Sequence, residues 1–131
     1  MEKLNKVLID TNVLIYMYES KRDIFEFVEK IIPDVKFYVL DEIYTEIENV
    51  FKNKVNKKRL FLNFLEKLHS ANKFEILKVD KSILKKYKVD DILLYLSDEY
   101  IIYTNDRKLK EKIKNKNGRV FVLKEKSAVF V

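Results

Sequence analysis

Five short apolar runs rich in β-branched and aromatic residues, "KVLI", "KFYVL", "EILKV", "YIIYT" and "RVFVL", recur along the chain with helical patterns between them. They occupy residues 6–9, 36–40, 75–79, 100–104 and 119–123, and several are continuous enough to suit strands buried on both faces. The intervening periodicity predicts helices over residues 12–18, 23–32, 41–51, 56–71, 81–87, 90–99 and 106–115, punctuated by Pro33 and Gly118. Strands that alternate with helices build a parallel sheet with right-handed crossovers, because each connection must return to the same edge. The expected fold is therefore α/β, a three-layer α/β/α sandwich with a central parallel sheet. No linker, repeat or low-complexity segment interrupts the pattern, so residues 1–131 are read as a single domain.

Missing residue types narrow the chemistry. The chain has no cysteine, one histidine (His69) and one glycine (Gly118), which excludes disulfides, Cys/His zinc sites and Cys–His catalysis. Glycine-rich phosphate cradles of the P-loop and dinucleotide types are excluded as well. His69 lies on a helical pattern with Leu62, Phe64, Leu65 and Leu68, and is read as a helix-end or surface residue. No run approaches the roughly 18 to 20 apolar residues of a membrane span, and the N-terminal "MEKLNK" leads into a strand rather than a signal, so a cytoplasmic protein without membrane contact is expected. A net charge of +6 favours a polyanionic partner, although a Lys/Glu-rich surface without cysteine is also how heat-adapted proteins look.

Acids stand where such a sheet gathers ligands, at the carboxyl ends of its strands. Asp10 follows the first strand directly, in "VLIDTNVLIY", and Asp106 follows the fourth, in "IIYTND". Two helices offer further acids. In "DEIYTEIENVF", Glu46 lies roughly 40° from Val50 and roughly 60° from Ile43, whereas Glu48 points well away from both; Glu46 is the inward one. In "DDILLYLSDEY", Asp90 lies about 60° from Leu93 and Asp91 about 160°, which favours Asp90 and leaves Asp91 in reserve. Each acid also has a plain structural reading: Asp10, Asp90 and Asp106 as helix N-caps, and Glu46 as a surface partner of a lysine. Converging carboxylates repel unless positive charge is supplied, and an all-oxygen donor set suits Mg²⁺ or Mn²⁺. The chemistry so implied is hydrolysis of a phosphodiester.

The pattern resembles the PIN-domain family of metal-dependent ribonucleases. The resemblance runs through "VLIDTNVLI", "VLDEIYTEIENV", "VDDILLYLS" and "YTNDRKLKEKIKNKNGRVFVL", nearly the whole chain. It implies a catalytic, metal-holding set of Asp10, Glu46, Asp90 and Asp106, with Asp91 open as a substitute for Asp90, and supporting roles for Asn12 and Thr104 in orienting the acids. Water is then the nucleophile and single-stranded RNA the substrate, with Lys86, Lys88, Arg107 and Lys108 as candidate backbone contacts; the alternative for these cations is a solvated face. Many small members are toxins of toxin–antitoxin pairs, which implies an antitoxin protein as partner, and many pair as homodimers. A ribosomal-RNA maturation nuclease and a non-catalytic RNA-binding module are the alternatives. Ser97 stands where relatives commonly carry alanine, and Tyr16 and Tyr18 are placed near the cleft or on a dimer face. A dehalogenase-type phosphatase, whose first strand also ends on Asp, is disfavoured because Asn12 stands where its second Asp belongs.

Overall fold

The computed structural model describes residues 5–124 and 127–131. Strand β1 (Lys6–Ile9) leads into α1 (Thr11–Ser20) and α2 (Ile24–Glu29), and β2 (Lys36–Leu40) into α3 (Ile43–Val50) and α4 (Val55–Ser70). Then follow β3 (Glu75–Leu77), α5 (Lys81–Leu84), α6 (Val89–Leu96), β4 (Ile101–Tyr103), α7 (Arg107–Asn115), β5 (Val120–Lys124) and β6 (Ser127–Phe130). All form one sheet in the order β3-β2-β1-β4-β5-β6. The first five strands pair in parallel, with Val7 beside both Phe37 and Ile101.

β6 corrects the expectation of a wholly parallel sheet. It pairs antiparallel with β5, Val122 opposite Val129, at the edge. Its "SAVF" is too short to stand out by periodicity, and its apolar residues find their partners only once β5 is in place.

Side chains alternate across the sheet with the two-residue period of extended chain. Val7, Ile9, Phe37, Val39, Ile101, Tyr103 and Phe121 pack against the layer of α1 to α4, while Leu8, Leu40, Ile102 and Val120 pack against α6 and α7. Strands with an apolar residue at nearly every position are thus explained by two cores, one on each face. Tyr103, fully buried, directs its hydroxyl to the carbonyl of Ile24, tying β4 to α2. Tyr18 packs on Phe61 and Phe64 of α4, so this expected cleft or dimer residue is instead partly buried within its own chain. No helix among the described residues is long and apolar enough to cross a membrane.

A chain with one glycine must turn by other means. Asn53, Asn72 and Asn117 take positive φ after α3, α4 and α7, the conformation asparagine tolerates better than most L-residues. Gly118 is kept for a different reason: a Cβ there would lie 2.5 Å from Cγ2 of Ile113 and 3.4 Å from Oγ of Ser97. Ile113 is fully buried and Ser97 nearly so, so neither can give way cheaply, and Ser97 stands at this close approach of α6, α7 and the turn into β5. Gly118→Ala is expected to lower unfolding free energy by about 1–3 kcal/mol through overpacking, measured by urea denaturation; an unchanged midpoint would show that Ile113 can repack.

Candidate active site

The strand order places a topological switch between β1 and β4: the chain moves from β1 outward through β2 and β3, then crosses to β4 on the other side. Strand ends diverge there and leave a crevice for ligands. Asp10 stands at the exit of β1, its backbone N–H donating to the carbonyl of Tyr103 at 2.9 Å, so the two central strands are clamped together at the crevice.

A relay of short polar side chains holds the acids. Thr104, fully buried just after β4, donates its hydroxyl to Oδ2 of Asp10 at 2.8 Å. The Thr104 hydroxyl oxygen in turn accepts the backbone N–H of Asp106 at 3.0 Å. Asp106 in turn caps α7, its Oδ1 accepting from the N–H of Leu109 at 3.1 Å, so its capping reading is correct and one carboxylate oxygen is engaged. On the other side of Asp10, Thr11 donates to Oε1 of Glu46 at 3.1 Å.

Glu46 points inward as the helical geometry predicts, and Glu48 outward to Lys58 at 3.0 Å. One premise needs correction. Val50 is 51% exposed, and the buried face of α3 is set by Ile43 and Ile47. In α6 the two adjacent acids divide the work: Asp91 accepts the N–H of Lys88 at 3.2 Å and closes the first turn, whereas Asp90 sits within the electrostatic reach of Asp106, Asp10 and Glu46. Asp10 occupies an N-cap position without making the side-chain cap bond; its carboxylate is aimed at Thr104 instead.

These placements load the crevice with negative charge. Burial raises the Asp10 carboxyl to about 6, the Thr104 hydrogen bond opposing and the charge of Asp90 adding to it. Burial, then the charge of Asp10, raises Glu46 to about 7, against the Thr11 hydrogen bond. Asp90 is raised too, by partial burial and by Asp106, while Lys112 of α7 pulls the other way. Three carboxyls held above their ordinary range are what a site short of positive charge produces.

Asn12, expected to orient an acid, is exposed on α1 and makes no side-chain hydrogen bond among the described residues; Thr11, one position earlier and buried, does that work. The signal for Thr11 was its place as the first helical residue after a strand-end acid. Asn105 was also missed: its Oδ1 accepts the N–H of Leu123 and fastens β5 to the exit of β4. Lys86, Lys88, Arg107 and Lys108 are exposed beside Asp90 and Asp106 in the chain, and none is ion-paired among the described residues. His69 ends α4 with its ring stacked on Phe74, away from the acids in role.

The donor set is all oxygen and hard, which fits a divalent cation such as Mg²⁺ or Mn²⁺. No three acids among the described residues stand in ligating arrangement around one point.

A parallel α/β protein with a carboxylate cluster at its switch point is the class that this fold and site define. Residues 7–126 match the family described as PIN like domain, and the chain belongs to that family. Ribonuclease VapC9 of Archaeoglobus fulgidus is 28% identical over 98% of this chain and 90% of its own length. Ribonuclease VapC4 of Methanocaldococcus jannaschii is 29% identical over 92% of each. Among solved structures, the PIN domain endonuclease Utp24 superposes with a TM-score of 0.69 at 20% identity, over 95% of this chain and 90% of that one. A domain of a protein of unknown function from Methanocaldococcus jannaschii does so at 0.60 and 19%, over 92% and 91%.

The raised Asp10 carboxyl has a consequence for stability. The folded chain binds this proton more tightly than the unfolded chain does, so the contribution is complete below about pH 4 and is lost as pH rises through about 6. Asp10→Asn removes that dependence while keeping an oxygen for Thr104. Without divalent ions, the variant is expected to match the parent near pH 4 and to exceed it above pH 7 by on the order of 3 kcal/mol. Urea melts across this range measure it, and parallel curves would show that Asp10 ionises as an ordinary carboxylate.

Proposed function

We propose that the protein is an endoribonuclease that uses Mg²⁺ or Mn²⁺ to hydrolyse phosphodiester bonds of single-stranded RNA. The observation that carries this reading is the convergence of Asp10, Glu46, Asp90 and Asp106 at the switch point, with burial and mutual repulsion raising three of them. Membership of the PIN-like family, and two relatives named as ribonucleases over nearly their full length, support it.

In this mechanism Asp10, Asp90 and Asp106 would hold the ion, some of them through its own waters, and Glu46 would hold it directly or through a water. Such an ion would supply activation of a water and stabilisation of the charge that develops on the phosphate. Thr104 fixes the orientation of Asp10 and, through the Asp106 N–H, the start of α7. Thr11 does the same for Glu46. Such outer contacts govern how acids meet a cation as much as the acids themselves. Lys86, Lys88, Arg107 and Lys108 meet the RNA backbone, where unpaired cations are most useful. The VapC names of the relatives favour the toxin of a toxin–antitoxin pair, with a small antitoxin as protein partner; a homodimer as the working form is carried over from the family resemblance alone.

A panel of single-stranded RNAs incubated with Mn²⁺, with Mg²⁺ and with chelator tests the reading. Cleavage is expected with either metal, none with chelator and none for Asp10→Asn; Thr104→Val, which leaves the acids in place but unoriented, is expected to lose about 10- to 100-fold. Equal activity of the parent and Asp10→Asn would sink the assignment of the site. Tight RNA binding by both without cleavage would leave a non-catalytic module.

A further inference from the structure

A groove of about 580 Å³ runs between the end of β3, α5 and α6, lined among others by Val79, Ile83, Tyr87, Ile92, Tyr95 and Leu96. Its two aromatic residues are the most exposed tyrosines among the described residues. Tyr95 is 74% exposed and Tyr87 56%, and neither ring packs on another aromatic ring among the described residues, whereas Tyr18, Tyr38 and Tyr103 each do. Tyr87 sits between α5 and α6; Tyr95 is on α6 itself, one turn past Asp91.

The surroundings of the groove are basic. Lys78 lines it, and Lys81, Lys85, Lys86 and Lys88 stand exposed on the segment that forms its wall. None of these five is ion-paired among the described residues. Two acids also line the groove, but each is already engaged as a cap: Asp80 accepts from Ser82 and Asp91 from Lys88. Exposed aromatic faces inside a lysine ring are the chemistry that holds an unstacked base while the cations follow its phosphates.

Position ties the groove to the acids. At about 100° per residue, Asp91 lies about 100° and Tyr95 about 140° around α6 from Asp90. A strand crossing the first turn of a helix about 10 Å wide therefore passes from the acidic crevice to the groove within a few nucleotides. We propose that this groove is a base-binding subsite, in which Tyr87 and Tyr95 stack an unpaired base of the RNA a short step from the bond that is cut. The proposal rests on the nuclease reading of the acids and adds to it where the substrate strand leaves the crevice.

Binding of a labelled single-stranded oligoribonucleotide to the Asp10→Asn protein in Mg²⁺, followed by fluorescence anisotropy, tests it. Tyr87→Ala and Tyr95→Ala are each expected to weaken binding about 5- to 100-fold, the range of one lost stack, with thermal midpoints unchanged because both rings are largely exposed. Tyr95→Phe, which keeps the ring face, is expected to bind within about twofold of its parent. An oligonucleotide made abasic along its length should bind the parent more weakly, and should be indifferent to loss of both tyrosines. If RNA binds but the tyrosine variants and the abasic strand behave as the unmodified pair does, the subsite is overturned and the nuclease reading stands. A drop from dimer to monomer in the tyrosine variants, with RNA affinity intact, also overturns it by making the groove a contact between copies. If no oligonucleotide binds even at low salt, the RNA reading of the acids fails and the subsite fails with it.

Discussion

The hydrogen bond from Thr104 to Asp10 joins the ends of the two central strands at the point where the sheet changes direction. Asp10 is 7% exposed, and a carboxylate so placed is costly unless its oxygens are occupied. One donor, fully buried and itself positioned by β4, meets part of that cost. The same hydroxyl receives the Asp106 N–H, and Asp106 then caps α7. A strand end, a hydroxyl and a helix start are thereby set by one another, and none can shift without exposing a buried polar atom. Among the described residues every buried side-chain polar atom has a partner.

Much of this was legible in the sequence, for reasons that particular residues make plain. β1 and β2 begin and end where their apolar runs do, because strands buried on both faces leave no polar positions to confuse the pattern. Asp10 and Asp106 could be located from strand ends alone. Glu46 was found by helical geometry even though Val50, one of its two reference points, proved exposed; Ile43 sufficed because a short amphipathic helix needs only one correct anchor. What the sequence hid was long-range. Thr11 and Asn12 are equally plausible as partners of an acid until α3 brings Glu46 beside α1. Asp90 and Asp91 are distinguished by a backbone bond to Lys88 that depends on how the chain enters α6. β6 lay below recognition because an edge strand of four residues derives its definition from the neighbour it pairs with.

Charge is distributed unevenly for a reason that follows from the fold. The chain carries a net +6, and yet the three ion pairs among the described residues lie on exposed helix surfaces, at Lys30, Lys58 and Lys116. In the crevice, Lys112 of α7 draws the Asp90 carboxyl downward against its burial. A lysine brought into contact with Asp10 and Glu46 would lower both carboxyls and stabilise the apo protein. It would also occupy the oxygens and cancel the field that draws a metal ion. Threonines orient the same oxygens without neutralising them. On the metal-dependent reading, the raised carboxyls of Asp10 and Glu46 would be the condition of leaving the site open to a cation.

The same logic explains why lysines gather just outside the acids rather than among them. A polyanion approaching a cluster of carboxylates is repelled, and the repulsion reaches about a Debye length of 8–10 Å in physiological salt. On the proposed nuclease reading, exposed cations that pair with no acid among the described residues, such as Lys86 and Lys88 before Asp90 and Arg107 and Lys108 after Asp106, would attract the strand without competing for the ion. Placing them on the first turns of α6 and α7 and on the segments leading in fixes them by the same helices that fix the acids. If the proposed subsite holds a base, acids within, cations outside them and the open faces of Tyr87 and Tyr95 would together attract an RNA strand at long range and orient it at contact.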